Sequence, residues 1–227
     1  MMLNPQITFL LIIVAVVVAV IAQIRVSSAF NRYSRVRTRR GITGAEVARA
    51  ILDEAGIHDV EVTRTESWLG DHYDPTKKRL CLSPGVYDSE SVAAVGIAAH
   101  EAGHAIQHQQ AYAPLQLRMS VVPATMVASQ LLPLVVIGGF WFGIMGFITL
   151  GIIIYAVLTL FQLITLPVEY DASRRAKAVL LRSGFVSTQE AEGVNKVLNA
   201  AALTYVAAFL SALFHLLHLL AIRNSRD

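Results

Sequence analysis

The chain has 227 residues, of which 55% are hydrophobic and only 15% are charged. A soluble domain of this length carries about 25% charged residues, so the composition predicts a membrane protein. The net charge of +3 is too small to indicate a nucleic-acid-binding protein. The single cysteine, Cys81, excludes an internal disulfide and a zinc site built from several cysteines.

Three apolar stretches without acidic or basic residues predict four membrane-spanning helices. Residues 7–24 can cross a bilayer as one helix, and we expect a retained anchor because six arginines follow without a recognisable cleavage site. Residues 119–167 exceed what one span needs, which predicts two helices joined by a turn. Residues 200–222 supply the fourth span. The turn is expected near Gly138, Gly139 and Gly143.

The lysines and arginines indicate how the spans are oriented. Residues 25–118 carry 12 of the 19, residues 167–199 carry 5, and the tail after residue 222 carries 2. Because positively charged loops remain in the cytoplasm, we expect both large polar segments on that side. The six arginines between residues 25 and 40, with no acid among them, suit either anionic lipid head groups or a solvated connector.

The first polar segment predicts a small α+β domain. Helical periodicity starts at Thr43 or the following glycine and stops at Gly56. Apolar and polar residues then alternate around residues 60–62 and again over residues 80–83, which predicts two half-buried strands. Residues 70–75, between the two predicted strands, have the composition of a turn.

Capping signals predict the remaining helices. Asp88 is the expected N-cap of a helix of small apolar residues that extends past residue 104. Pro167 is expected in the first turn of a further helix that ends before Gly184. Ser187 and Glu190 have the spacing of a capping box, so a last helix is expected to begin there and continue into the fourth span.

Residues 100–104 read His-Glu-Ala-Gly-His within the predicted helix that follows Asp88. Residues four apart share one helical face, so the imidazoles of His100 and His104 can bind one ion while Glu101 projects beside them. Two histidines and a carboxylate are typical ligands of a catalytic zinc, which keeps its fourth position for water. The pattern predicts one Zn²⁺ per chain and a general base, Glu101, for the attacking water.

The third ligand has to come from another part of the chain. His108 continues the same helical face, but it lies one turn further on, and the helix would have to distort for it to reach the ion. Glu169, after the third predicted span, is the better candidate, and Asp171 is the next. Gly103 is unfavourable inside a helix, so it predicts the close approach of a ligand or of another helix.

Three stretches resemble a known family: HEAGHAIQH (100–108), VEYDASRRA (168–176) and GDHYDPTKKRLCLSPGVY (70–87). The chain resembles the bacterial YugP-like family of neutral membrane zinc metallopeptidases over most of its length. It is more distantly similar to the HtpX and Ste24 type of membrane gluzincin. The resemblance implies that Glu169 is the third ligand. Ser173 stands where the distant relatives have an aspartate that supports a ligand histidine, so this support is weaker here, or comes from Asp171 or another residue.

The resemblance also implies how a substrate is held. Residues 80–83 would form an edge strand near the cleft, where an extended peptide adds as a further strand. His72 or Tyr73, in the adjoining turn, is a candidate for stabilising the oxyanion.

His215 and His218, three apart in the last predicted span, are expected to be packed or interfacial histidines.

The predicted fold is a mainly α membrane protein with about four transmembrane helices. A small cytoplasmic α+β domain, zincin-like, holds the HExxH helix and a short β-sheet. The expected location is the bacterial plasma membrane, with the active site facing the cytoplasm. The predicted segments are an N-terminal transmembrane anchor (1–24), the zincin-like domain (25–118), a transmembrane hairpin (119–167), a cytoplasmic helical segment with the third ligand (168–199) and a C-terminal transmembrane helix with its tail (200–227).

The predicted function is a membrane-embedded zinc endopeptidase that cleaves membrane or membrane-proximal proteins. Its expected partners are a peptide substrate and the lipid bilayer, and nucleic acid is not expected. One alternative is a non-catalytic scaffold or chaperone subunit, in which His108 or Asp171 would close the fourth position of a structural zinc. Another is a site-2-type intramembrane protease, although the apolar run beginning near residue 92 is too short to span a bilayer.

Overall fold

The computed structural model describes residues 4–66, 70–142 and 145–225. Within these residues the chain forms seven α-helices and one three-stranded β-sheet. The helices are α1 (Pro5–Tyr33), α2 (Gly44–Glu54), α3 (Pro84–Tyr87), α4 (Val92–Gln109), α5 (Ala113–Phe142), α6 (Met145–Arg182) and α7 (Thr188–Asn224). The strands are β1 (Glu61–Arg64), β2 (His72–Asp74) and β3 (Arg79–Leu82).

Four helices, α1, α5, α6 and α7, are long and apolar enough to cross a membrane. Large apolar side chains point outward from them, including Leu10 (59% exposed), Leu134 (65%) and Ile153 (56%). Such a surface is unfavourable in water, whereas lipid tails are as apolar as leucine side chains. The four predicted spans are therefore present as four membrane-compatible helices.

The turn between the second and third spans was predicted near three glycines, and α5 ends at Phe142 while α6 begins at Met145. Gly138 and Gly139 lie inside α5, and Gly143 lies outside the described residues. A Cβ atom at Gly138 would come within 2.6 Å of the Phe147 ring of α6, so this glycine permits side-chain packing between the two helices. Gly138 therefore contributes close packing between the two helices, and the break between them lies close to the glycines named from the sequence.

The prediction that Pro167 begins a new helix was wrong. Met145–Arg182 is one continuous helix, with Pro167 in its interior. Proline removes one backbone N–H donor and kinks many helices, but apolar membrane helices accommodate it more often than soluble ones. Gly184, at a φ of +65°, follows the end of α6 as the sequence predicted.

The chain divides into two compact units. One contains the described residues up to Gln23, Gln116–Leu166 and those from Leu203 onward. The other contains Ile24–Leu115 and Pro167–Ala202, and it includes the sheet and helix α4. Its core is formed by fully buried aliphatic side chains, among them Val47, Ile51, Leu52, Leu80, Leu82 and Val95.

The sheet has the strand order β1-β3-β2, with β1 parallel and β2 antiparallel to β3. The predicted strand at residues 80–83 is therefore central, and the prediction that it forms an edge was wrong. It is central because strands pair with it on both sides, and its Leu80 and Leu82 are fully buried. The predicted turn over residues 70–75 contains β2, where Tyr73 pairs with Leu80.

Capping boxes begin two helices: the box at α7 was predicted from the sequence, whereas for α2 the sequence indicated only a start at Thr43 or Gly44. At α2, the Thr43 hydroxyl accepts from the Glu46 N–H, and the Glu46 carboxylate accepts from the Thr43 N–H at 2.8 Å. At α7, Ser187 and Glu190 exchange the same pair of bonds, at 2.7 Å and 3.3 Å. Each box satisfies two N–H groups that have no partner inside the helix.

The predicted start of α4 was displaced by three residues. Its N-cap is Ser91, whose hydroxyl accepts from the Ala94 N–H at 3.2 Å. Asp88 instead caps the carboxyl end of the short helix α3. The chain forms the short helix α3 before α4, and Asp88, which was expected to cap α4, belongs to the end of α3 instead.

We expect Gly44→Ala to destabilise the second unit, because the added methyl would lie 2.2 Å from the backbone oxygen of Val86. Overpacking against backbone costs about 2 kcal/mol, which lowers a melting temperature by about 4–8 °C. Circular dichroism of the detergent-solubilised chain measures the change. The control is Gly85→Ala, because a methyl there meets nothing within 4 Å. Equal melting of the two variants would contradict this packing.

Candidate metal centre

Helix α4 carries three of the predicted site residues into the interior of the second unit. His104 and Glu101 are buried on it, and the ring centroids of His100 and His104 lie 4.8 Å apart. The small residues around them, such as Ala102 and Ala105, are also buried. The helix therefore places two imidazoles and a carboxyl in a water-poor environment.

Helix α6 approaches α4 where α4 has no side chain. A Cβ atom at Gly103 would lie 2.8 Å from the carbonyl oxygen and 3.3 Å from the Cα atom of Ala172. Both atoms belong to backbone, which cannot move aside as a flexible side chain would. Of the two explanations that the sequence allowed for Gly103, close helix packing is the one that applies.

This approach brings Glu169 to the two histidines. The Oε2 atom of Glu169 lies 3.2 Å from Nε2 of His100 and 3.5 Å from Nε2 of His104. Glu169 is only 2% exposed. One ligand atom from each residue lies within 4.8 Å of the other two. Tetrahedral bonds of about 2.0–2.1 Å separate neighbouring ligand atoms by about 3.4 Å. The donor set and its spacing therefore fit zinc.

Burial and neighbouring charge alter the titration of this cluster. Burial raises the pKa of the Glu101 carboxyl above its usual value, and the nearby histidines oppose that rise. Burial alone would lower the pKa of His104, but its contact with Glu169 and the charge of Glu101 raise it overall. A carboxylate with a raised pKa is a stronger base than an ordinary carboxylate.

The two histidines have different partners at their outer nitrogens. Nδ1 of His100 lies 3.1 Å from the hydroxyl oxygen of Ser173, and Nδ1 of His104 lies 2.9 Å from Oε1 of Gln107. Ser173 therefore contacts His100 from the position where the distant relatives have an aspartate that supports a ligand histidine. Asp171 accepts hydrogen bonds from Gln107 and from its own neighbours on α6.

Gln107 is the site residue that the sequence analysis missed. It is fully buried and links His104 on α4 to the backbone and side chains of α6. Its spacing of three residues from His104 was a usable signal, since such residues are neighbours on a helix surface. Its partners on α6, however, are more than 60 residues away along the chain.

His72 and Tyr73 occupy successive positions of β2, so their side chains point to opposite faces of the sheet. The Tyr73 hydroxyl lies 2.9 Å from Nδ1 of His108 on α4, while Nδ1 of His72 lies 3.0 Å from the carbonyl oxygen of Gly70. Burial, with the charges of two nearby aspartates, raises the pKa of Tyr73 to about 12. Tyr73 is therefore the one of the pair that faces α4, as a protonated phenol.

The remaining histidines of the last span lie in the other unit. Nδ1 of His218 is 3.0 Å from the Thr8 hydroxyl, and the His215 ring stacks on Tyr155 with centroids 5.0 Å apart. These are packed side chains, which agrees with the interpretation made from the sequence. Across the described ranges, His100, His104 and Glu169 are the one group of three possible ligands that converges.

The chain matches, over residues 8–224, the model of a family described as "Putative neutral zinc metallopeptidase". It belongs to this family, and that membership implies zinc as the metal. It is also 49% identical over 207 residues to the "Putative membrane protease YugP" of Bacillus subtilis (strain 168), covering 91% of this chain and 92% of that protein. No solved structure matches the chain significantly.

We expect Gly103→Ala to weaken zinc binding at least about tenfold, because the methyl must push α6 and its Glu169 away from the histidines. Competition with a chromogenic chelator measures the affinity. The matched control is Gly96→Ala on the same helix, where the atoms nearest to a methyl belong to the Val194 side chain, at 3.2 Å and beyond. Wild-type affinity in Gly103→Ala would show that ligand convergence does not need the close approach.

Proposed function

We propose that the protein is a membrane-embedded zinc endopeptidase that hydrolyses membrane or membrane-proximal proteins. The observation that carries the proposal is the buried convergence of His100, His104 and Glu169, with Glu101 next to the first histidine. These three residues would hold one zinc ion per chain. Family membership and the similarity to a membrane protease support the same class of activity.

The chain's own residues divide the chemistry between them. Bound zinc supplies a Lewis acid that makes water more acidic and polarises the scissile carbonyl. Glu101 is the general base: its carboxylate takes the proton of the attacking water and passes it to the leaving amine. The raised pKa of Glu101 makes its carboxylate a stronger base for the proton of the attacking water. Ser173 and Asp171 act indirectly, through His100 and through Gln107.

Strand β2 is the proposed docking edge for the substrate. It is a terminal strand of the sheet and contacts α4, so it replaces residues 80–83 in the strand-addition hypothesis. Tyr73 on β2 is the proposed oxyanion donor, because it faces α4 and keeps its proton at neutral pH. His72 faces the opposite side of the sheet and is the weaker candidate.

We propose that the zincin-like domain (25–118) and the helical segment with the third ligand (168–199) lie on the cytoplasmic side of the bacterial plasma membrane. The anchor (1–24), the hairpin (119–167) and the C-terminal segment (200–227) would span it. The concentration of lysine and arginine in the two polar segments supports this orientation. The gluzincin assignment rests on Glu169 as the third ligand, from the helix that follows the hairpin.

Two observations favour this endopeptidase proposal over the two alternatives, a scaffold with a structural zinc and an intramembrane protease. A structural zinc would need a fourth protein ligand, but His108 is bonded to Tyr73, and Asp171 is bonded to two arginines and to Gln107. An intramembrane protease would carry its motif on a spanning helix. Helix α4 is not among the helices of the described chain that are apolar and long enough to cross a membrane.

We expect Glu101→Gln to reduce peptide cleavage by about 10³-fold while zinc content stays at one per chain, because the amide cannot accept the water proton. Purified protein, an unfolded model protein and elemental analysis provide the measurement. His104→Ala should lose the zinc itself. Equal cleavage by wild type and Glu101→Gln would remove Glu101 from the mechanism. Absence of cleavage by zinc-loaded wild type would favour the scaffold.

We expect Tyr73→Phe to lower kcat by about 10²-fold with unchanged zinc content, since the variant loses one donor to the developing oxyanion. Steady-state cleavage of a quenched-fluorescent peptide separates kcat from KM. Tyr87→Phe, on α3, is the matched control for removing a phenolic hydroxyl, and His72→Ala tests the neighbouring side chain. A larger loss in His72→Ala than in Tyr73→Phe would reverse the assignment.

A further inference from the structure

Gln107 is a buried amide that no step of the proposed hydrolysis uses. Its residue is 0% exposed, although burying an unpaired amide is unfavourable by several kcal/mol on transfer scales. Its amide nitrogen lies 2.8 Å from the carbonyl oxygen of Val168 and 3.0 Å from Oδ2 of Asp171. Its amide oxygen lies 2.9 Å from Nδ1 of His104. The amide is therefore bonded at both ends.

The partners of Gln107 determine which way its amide points. A backbone carbonyl such as that of Val168 can only accept a hydrogen bond, so the group facing it must be the NH₂ end. The oxygen end then faces His104, and an amide oxygen can only accept. The proton of this hydrogen bond must come from His104, which places it on Nδ1.

A neutral imidazole with its proton on Nδ1 has a free lone pair on Nε2. Nε2 of His104 is the nitrogen that faces Oε2 of Glu169, at 3.5 Å. We propose that Gln107 is a positioning residue that holds His104 in the tautomer and orientation required for metal binding through Nε2. This inference rests on the proposed function, because it assigns a role within the same metal site.

The outer end of this hydrogen-bonded chain is fixed as well. Asp171 is paired with Arg174 and Arg175 on its own helix, and Arg175 also donates to Oε1 of Gln110 at 2.6 Å. The amide of Gln107 stands between the carboxylate of Asp171 and the imidazole. Asp171 therefore orients the Gln107 amide, and the amide in turn orients His104. Because the amide lies between them, Asp171 does not take the imidazole proton.

His100 has no equivalent constraint from Ser173. A hydroxyl can donate or accept, so the contact of 3.1 Å between Ser173 and Nδ1 of His100 is compatible with either tautomer. The two ligands therefore differ: Gln107 fixes the tautomer of one, and a rotatable hydroxyl adapts to the other. This difference predicts that zinc affinity depends more on Gln107 than on Ser173.

The test compares Gln107→Met with Gln109→Met in the full-length protein in detergent. Methionine has nearly the shape of glutamine but makes no such hydrogen bonds, and Gln109 is an exposed residue of the same helix. We expect Gln107→Met to weaken zinc binding about 10–100-fold, as loss of an outer partner of a ligand does, and Gln109→Met to bind as wild type. Circular dichroism of each metal-free variant reports whether α4 remains folded.

A second measurement uses the wild type, so it stands even where Gln107→Met fails to fold. Nitrogen NMR of the zinc-loaded protein with ¹⁵N-labelled histidine should show His104 protonated at Nδ1 and metal-bound at Nε2. Its signals are identified in the metal-free protein by their loss in His104→Ala and are then followed as zinc is added to the wild type.

Three results overturn the inference or its basis. Unchanged zinc affinity in folded Gln107→Met, or His104 bound to zinc through Nδ1, would overturn the role of Gln107 and leave the peptidase proposal intact. Failure of the wild type to bind zinc would overturn the proposed function and, with it, this inference.

Discussion

The contact between the backbones of α4 and α6 at Gly103 and Ala172 is the constraint on which the site depends. Gly103 lies between the two histidines in sequence, and Ala172 lies one helical turn after Glu169. Their separation therefore sets the distance between the imidazoles and the carboxylate. Zinc tolerates departures of only about 0.2 Å from ideal bond lengths, less than the displacement that one added methyl group would force. The absence of a side chain at Gly103 thus allows the two helices to pack closely, and this close packing keeps the ligand atoms at the spacing that zinc needs.

The cluster also explains why a cation would stabilise this part of the molecule. Glu101 and Glu169 are two buried acids, and buried carboxylates are unfavourable unless opposite charge or hydrogen bonds compensate them. The histidines provide part of that compensation, as the raised pKa of His104 indicates. A divalent cation binds neutral imidazole and ionised carboxylate, and so replaces this arrangement with direct ligation. Metal binding is then linked to the stability of the packed helices.

Local signals in the sequence predicted local features. Helical spacing identified α2 and α4 with its histidines, capping chemistry identified the start of α7, and apolar length identified the spans. Features that depend on distant partners were missed. Strand β2 has only three residues and forms because it pairs with β3. Strand β3 is central because β1 pairs with its other side. Gln107 shows no function until the backbone of α6, 61 residues later, lies against it.

The continuity of α6 through Pro167 has a consequence for how the site is built. Glu169, Ala172 and Ser173 are spaced as neighbours on one helical face, so the proposed third ligand, the packing contact and the partner of His100 all come from one turn of α6. Helix α4 supplies the two histidines, the proposed general base and Gln107. The metal site thus needs only two helices, and the sheet contributes the proposed substrate edge and Tyr73. Changes in β2 can therefore alter peptide binding while the ligand spacing, which α4 and α6 fix between themselves, stays the same.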